Sequence, residues 1–251
     1  VSTEVAPAAP PRRQEVTGLT IFGRDEFLSE RWRYRAGEHV TILGPTGTGK
    51  THLAYQLLGA TARPGLPGVV LVMKPRDATV GRWSKTVGFR RVRTWPPGPV
   101  WPWQQKPSGW VLWPRHRFDP DLDNPHLYEQ FRRAMLDSYR RGDRILFADE
   151  IAGISNELAL HRESTTLWQR GRSMGAGVWA ASQRPTHIPL LAYSSAEHLF
   201  LFADPDKRDR DRYAEIGGVD PVLIVAAVTR LQQYQCLYVR RTGARMCILD
   251  R

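Results

Sequence analysis

The stretch "GPTGTGKT", Gly44 to Thr51, limits the folds open to this chain more than any other. A glycine, four residues and then Gly-Lys-Thr allow successive backbone N–H groups to turn inward around phosphate oxygens. The apolar run "EHVTILG" at 38–44 precedes it, and a helix is expected from about Gly49 to Ala62. A phosphate loop between a buried strand and a helix N-terminus belongs in an open α/β sheet, where ligands bind beyond the carboxyl ends of the strands. Gly44, Pro45, Thr46, Gly47, Thr48, Gly49, Lys50, Thr51 and His52 are therefore the candidate ATP-binding residues. Lys50 is expected on the β- and γ-phosphates and Thr51 on a Mg²⁺ ion.

Two further segments supply the rest of such a site. "ILFADE" at 145–150 is a buried strand that releases Asp149 and Glu150 at its carboxyl end. Asp149 is placed to organise the Mg²⁺ shell, and Glu150 to orient and deprotonate an attacking water. "GVWAASQ", ending at Gln183, is a third buried strand with a polar tip, and Pro185 stops it from continuing. Gln183 is expected beside the γ-phosphate or the attacking water.

The remaining chain alternates strands with helices, which argues for a mostly parallel sheet flanked by helices. "GVVLVMKP" at 68–75 and residues 198–203 read as strands, and a short aromatic-basic strand is expected around Trp32 and Tyr34. Helices are expected over 124–142, 156–173, 206–216 and 220–230, followed by a C-terminal β-hairpin turning at Thr242-Gly243. Residues 1–16, rich in alanine and proline, read as a flexible tail, which leaves 17–251 as a single domain. From 95 to 113 the chain changes character: five tryptophans alternate with prolines, and an insertion or extended arm is expected. Its aromatics next to "FRRVR" suit single-stranded nucleic acid, and suit an interface or satellite core better.

Together, "GPTGTGKT", "ILFADE" and "GRSMGAGVWAASQRP" resemble the FtsK/HerA superfamily of DNA-pumping ATPases. The Gln-Arg-Pro after the third strand is the most specific of these features. The resemblance spans roughly 38–203 and implies a RecA-like P-loop NTPase core acting in a ring, a hexamer or pentamer, that threads double-stranded DNA. Such rings complete each active site with an arginine from the neighbour. Arg172 is the first candidate, Arg170 the second and Arg184 the third. A compact core without an added DNA-reading domain looks most like a viral genome-packaging ATPase, with a capsid vertex or other assembly protein as a further partner. A plasmid or conjugative DNA-transfer motor, a phage assembly or secretion factor that moves protein, and a nucleotide switch with little turnover are the rivals.

Composition is compatible with this. Lysine and arginine number 36 against 25 aspartates and glutamates, a formal charge of +11 that favours an anionic partner. Cys236 and Cys247 are too few for a disulfide framework and read as two buried thiols. The longest apolar run, "VLIVAAV" at 222–228, is far too short to cross a bilayer, and no signal core opens the chain. A cytoplasmic protein is expected, in the host cytoplasm or with the virion if viral. The seven histidines show no zinc-ligand spacing with the cysteines.

Overall fold

Runs of branched and aromatic residues flanked by turn formers build the sheet. A computed structural model of the chain describes residues 18–101, 103–216 and 218–251, so the expected tail at 1–16 lies outside the described residues. The first strand is β1 (Ile21–Gly23), followed by β2 (Val40–Leu43), β3 (Gly68–Leu71), β4 (Arg90–Val92), β5 (Gly109–Leu112) and β6 (Arg144–Ala148). β7 (Ala176–Ser182), β8 (His198–Phe202), β9 (Cys236–Arg240) and β10 (Arg245–Asp250) complete one sheet of order β1-β10-β9-β8-β2-β7-β6-β3-β5-β4. Pairing from β8 through β4 is parallel, whereas β9 and β10 form the expected antiparallel hairpin, with β1 parallel to β10.

The apolar strand runs bury both faces. Along β6, Ile145 and Phe147 face one core while Leu146 and Ala148 face the other, and β7 and β8 alternate in the same way. Helices cover each face. α1 (Arg24–Glu26) runs into a π-helical turn, Phe27–Arg31. α2 (Lys50–Thr61) and α3 (Ala78–Thr86) pack together. α4 (Pro120–Arg141), α5 (Ile151–Asn156), α6 (His161–Arg170) and α7 (Leu190–Ser194) follow, then α8 (Lys207–Tyr213) and α9 (Pro221–Arg230).

Four local expectations need correction. Trp32 is not in a strand: its buried ring fills the core, donates from Nε1 to Thr61 Oγ1 at 2.8 Å, and lies against Tyr34, Trp179 and Phe200. The expected helix at 156–173 is two helices, because Ala159 at φ 50° breaks the chain between α5 and α6. α4 begins before residue 124, because Asp119 caps it by accepting from the Asp121 N–H at 3.0 Å. The tryptophan-proline stretch at 95–113 is not wholly an arm. Its end, Gly109–Leu112, is the sheet strand β5 between β3 and β4, since no proline interrupts "GWVLW". Trp95 and Trp113 are buried, whereas Trp101 and Trp103 stack on each other at the surface.

Candidate active site

The parallel strands run in one direction, so the chain leaves β2, β3, β6 and β7 at the same edge. β2 leads into the phosphate loop, and Gly49 enters α2 at φ 100°, a conformation that favours glycine. Gly44 is required for a different reason: a Cβ there would stand 2.5 Å from Phe202 Cβ. Lys50, buried at the start of α2, donates from Nζ to the Pro45 carbonyl at 2.7 Å, and Thr48 Oγ1 donates to the same oxygen at 2.9 Å. Burial pulls the Lys50 ammonium down to about 8, opposed by the charges of Asp149 and Glu150. An incoming phosphate would favour the charged form and raise that value again.

β6 delivers the acidic pair. Thr51 Oγ1 donates to Asp149 Oδ1 at 3.0 Å, and Lys74 Nζ stands 3.8 Å from the other carboxylate oxygen. Glu150 accepts from Ser182 Oγ at 3.2 Å, a residue at the end of β7. Burial raises the Glu150 pKa above the ordinary carboxylate range, the Ser182 hydrogen bond opposes this, and the Asp149 charge adds to it. Burial likewise raises Asp149. A carboxylate with an elevated pKa at a strand end is well suited to take a proton from water. Gln183 Oε1 accepts from Thr46 Oγ1 at 2.7 Å, so the polar tip of β7 is joined directly to the phosphate loop.

These groups enclose a cleft of about 440 Å³. Its outer wall comes from the segment after β3: Lys74, then Asp77, Arg82 and Trp83. His52 packs on Trp83 with ring centroids 4.4 Å apart, and burial followed by the Arg24 and Arg251 charges lowers its pKa. Ser182, Lys74 and the α3 wall were missed by motif reading. Lys74 had a signal, since it leaves β3 at its carboxyl end just as Asp149 and Gln183 leave theirs. Trp83 had none, because only the packing of α3 on α2 brings it there.

Of the expected arginines, Arg170 and Arg172 are close neighbours and Arg184 lies apart from them. Arg184 is exposed beside Gln183, while Arg170 ends α6 and Arg172 sits in the 3₁₀ turn before β7. Seven strand residues at about 3.3 Å each separate that turn from the β7 tip, roughly 23 Å. Arg172 is thus at the opposite sheet edge from its own chain's cleft. The donor set in the cleft, a hydroxyl and a carboxylate, is of the hard-oxygen kind that suits Mg²⁺ with phosphate and water, and the two lysines suit an anion beside it.

No family model matches the sequence, and no curated protein does. Solved structures do resemble it. B204, the DNA-packaging ATPase of Sulfolobus turreted icosahedral virus, superposes with a TM-score of 0.57 at 15% identity, covering 86% of this chain and 98% of B204. VirB4 of Thermoanaerobacter pseudethanolicus gives 0.62 at 12% identity, over 84% and 88%. The cytoplasmic domain of the type VII secretion ATPase EccC of Thermomonospora curvata gives 0.53 at 16% identity, over 85% of this chain and 25% of that one. The fold is that of the P-loop ATPases, in agreement with the FtsK/HerA resemblance of the motifs.

Proposed function

We propose that this chain is an ATP-hydrolysing motor that moves double-stranded DNA, of the genome-packaging type, working as a homo-oligomeric ring. The observation that carries the reading is the meeting of the phosphate loop, Asp149, Glu150 and Gln183 at one sheet edge, on a core that spans B204 almost end to end. Lys50 and the loop bind the β- and γ-phosphates. Glu150 accepts the proton of a water that attacks the γ-phosphorus, and ADP and phosphate leave. Gln183, tied to Thr46, holds that water or the γ-phosphate in line. Thr51 and Asp149 would hold Mg²⁺, which when bound offsets charge on the phosphate oxygens. Arg172, far from its own cleft, acts on the neighbour's site across a ring interface.

Duplex DNA is the cargo in this reading, gripped through its phosphates without regard to sequence. A capsid vertex or another assembly protein is the docking partner, in the host cytoplasm or on the virion. No helix among the described residues is long and apolar enough to cross a membrane. The likeness to the type VII secretion ATPase EccC keeps a protein-moving role as the second reading. ATPase turnover measured with and without duplex DNA separates them. Turnover that rises with duplex of any sequence and loses that rise with added salt supports the DNA motor. Turnover indifferent to both overturns it.

A further inference from the structure

We infer that the outer edge of the sheet, formed by β4 and the loop after β5, is a surface that grips the phosphodiester backbone of duplex DNA. The inference rests on the motor reading above and adds the place of contact. Residues 78–118 hold eight lysines and arginines and no aspartate or glutamate. The topology gathers this run at one end of the molecule, because α3, β4, the proline-rich connection and β5 are consecutive there. β4 is the last strand of the sheet and exposes Arg90 and Arg91, with Arg93 just beyond.

These arginines are held in place without being neutralised. The Arg91 guanidinium lies 4.0 Å from the Trp113 ring centroid, and Arg93 Nη1 donates to the Trp113 carbonyl at 2.9 Å. Among the described residues, none of Arg90, Arg91, Arg93, Arg115 and Arg117 forms an ion pair with a carboxylate. Charge on an edge strand also deters edge-to-edge pairing, which accounts for β4. It does not account for the next loop.

That loop, 114–119, is built to present its side chains. Buried Asp123 accepts from the backbone N–H of Arg117 at 2.8 Å and of Phe118 at 3.0 Å, and faces His116 Nδ1 at 3.4 Å. Phe118 is held at φ 64° with its ring 69% exposed, a strained backbone that gains nothing for the core. Exposed Arg115 and Arg117 precede it on the same loop, and the Arg76 guanidinium lies 5.9 Å from its ring. The acids that follow in sequence are Asp119, the N-cap of α4, which accepts from the Asp121 N–H, and Asp121 and Asp123 in the first turn of that helix. Exposed guanidinium groups without carboxylate partners, spaced along β4 and this loop, fit a run of phosphates. Among the described residues, Phe118 and the stacked Trp101–Trp103 pair are the large exposed apolar side chains of this run, fewer than its eight cations, a balance that fits phosphates better than the acyl region of a bilayer.

The surface is also connected to the nucleotide cleft. Lys74 pairs with Asp149 and Asp77, its carbonyl accepts from Trp113 Nε1 at 2.8 Å, and Arg76 of the same segment reaches Phe118. DNA on the edge therefore bears on the segment that contacts the Mg²⁺-site carboxylate.

The test is the variant Arg90→Gln/Arg115→Gln/Arg117→Gln, with a labelled short duplex titrated across a range of KCl. Each lost phosphate contact lowers the slope of log affinity against log salt by about 0.9, so the slope falls by about 2.7. Basal turnover stays at the wild-type value and its stimulation by DNA is lost. If the triple variant does not fold, Arg115→Gln/Arg117→Gln lowers the slope by about 1.8. An unchanged slope, while the wild type binds duplex normally, overturns the inference and leaves the motor reading intact. Loss of binding to phosphatidylglycerol vesicles, or of self-association, with duplex binding retained overturns it in favour of lipid or a subunit contact. A wild type that binds no duplex at low salt fails the motor reading itself.

Discussion

Replacing Arg172 with alanine separates an arginine that serves a neighbour from one that serves its own chain. The roughly 23 Å of β7 between Arg172 and the Gln183 tip exceeds the reach of an arginine side chain, so the variant leaves its own cleft untouched. It should fold, assemble and bind ATP as the wild type does. A finger donated in trans contributes about 10³ to 10⁵ in kcat, and hence roughly 4 to 7 kcal/mol of transition-state stabilisation. Exposed charge removal alone would cost about 1 kcal/mol or less. The decisive assay mixes Arg172→Ala with Glu150→Gln, each nearly inactive. In a ring drawn at random from equal amounts, a site has its own Glu150 and a neighbour's Arg172 about one time in four, so turnover should recover to about a quarter of wild type if sites fire independently. Recovery should vanish on dilution below the concentration at which rings hold together. A mixture that forms mixed rings yet stays as slow as its parents refutes the reasoning, and Arg170 and Arg184 become the candidates.

Glu150→Gln should keep ATP affinity and lose about 10² to 10⁴ in turnover, measured by ATP binding beside phosphate release; wild-type turnover would remove Glu150 from its role. Ser182→Ala removes a hydrogen bond that holds the Glu150 pKa down, so the acid limb of kcat against pH should move to higher pH; a limb that stays in place would sink that assignment. His39 is buried between β2 and β7, accepts from the Val178 N–H at 2.9 Å, and is depressed by burial to about 4 from 6.5. Its share of stability is complete above the unfolded value and is lost as pH falls toward the folded one, about 2 kcal/mol between pH 7.5 and 5, and His39→Asn should remove that part of the pH dependence in denaturant unfolding.

Features that depend on local chemistry were legible in the sequence. The phosphate loop, "ILFADE" and "GVWAASQ" each combine an apolar run with a polar exit, and the rule that ligands meet parallel strands at their carboxyl ends predicts their convergence. Trp32 was misread because an aromatic-basic run looks the same whether it joins a sheet or lies beneath one; its packing on Trp179 and Phe200 depends on residues more than a hundred positions away. β5 was hidden by the prolines around it, although "GWVLW" itself is free of them. The α3 wall of the cleft carries no motif, and tertiary packing alone brings Trp83 to His52.

The central position of β2 has a consequence for how the protein is made. Val40 pairs with Trp179 on one side and with His198 on the other, the latter 158 residues further along (198 − 40). A ribosome adding about 5 to 20 residues per second needs roughly 8 to 30 seconds to supply that partner. For the first 139 of those residues (179 − 40) the strand that carries the phosphate loop exists without either neighbour. A cell that makes this protein must therefore keep this buried strand from mispairing until β7 and then β8 have been made.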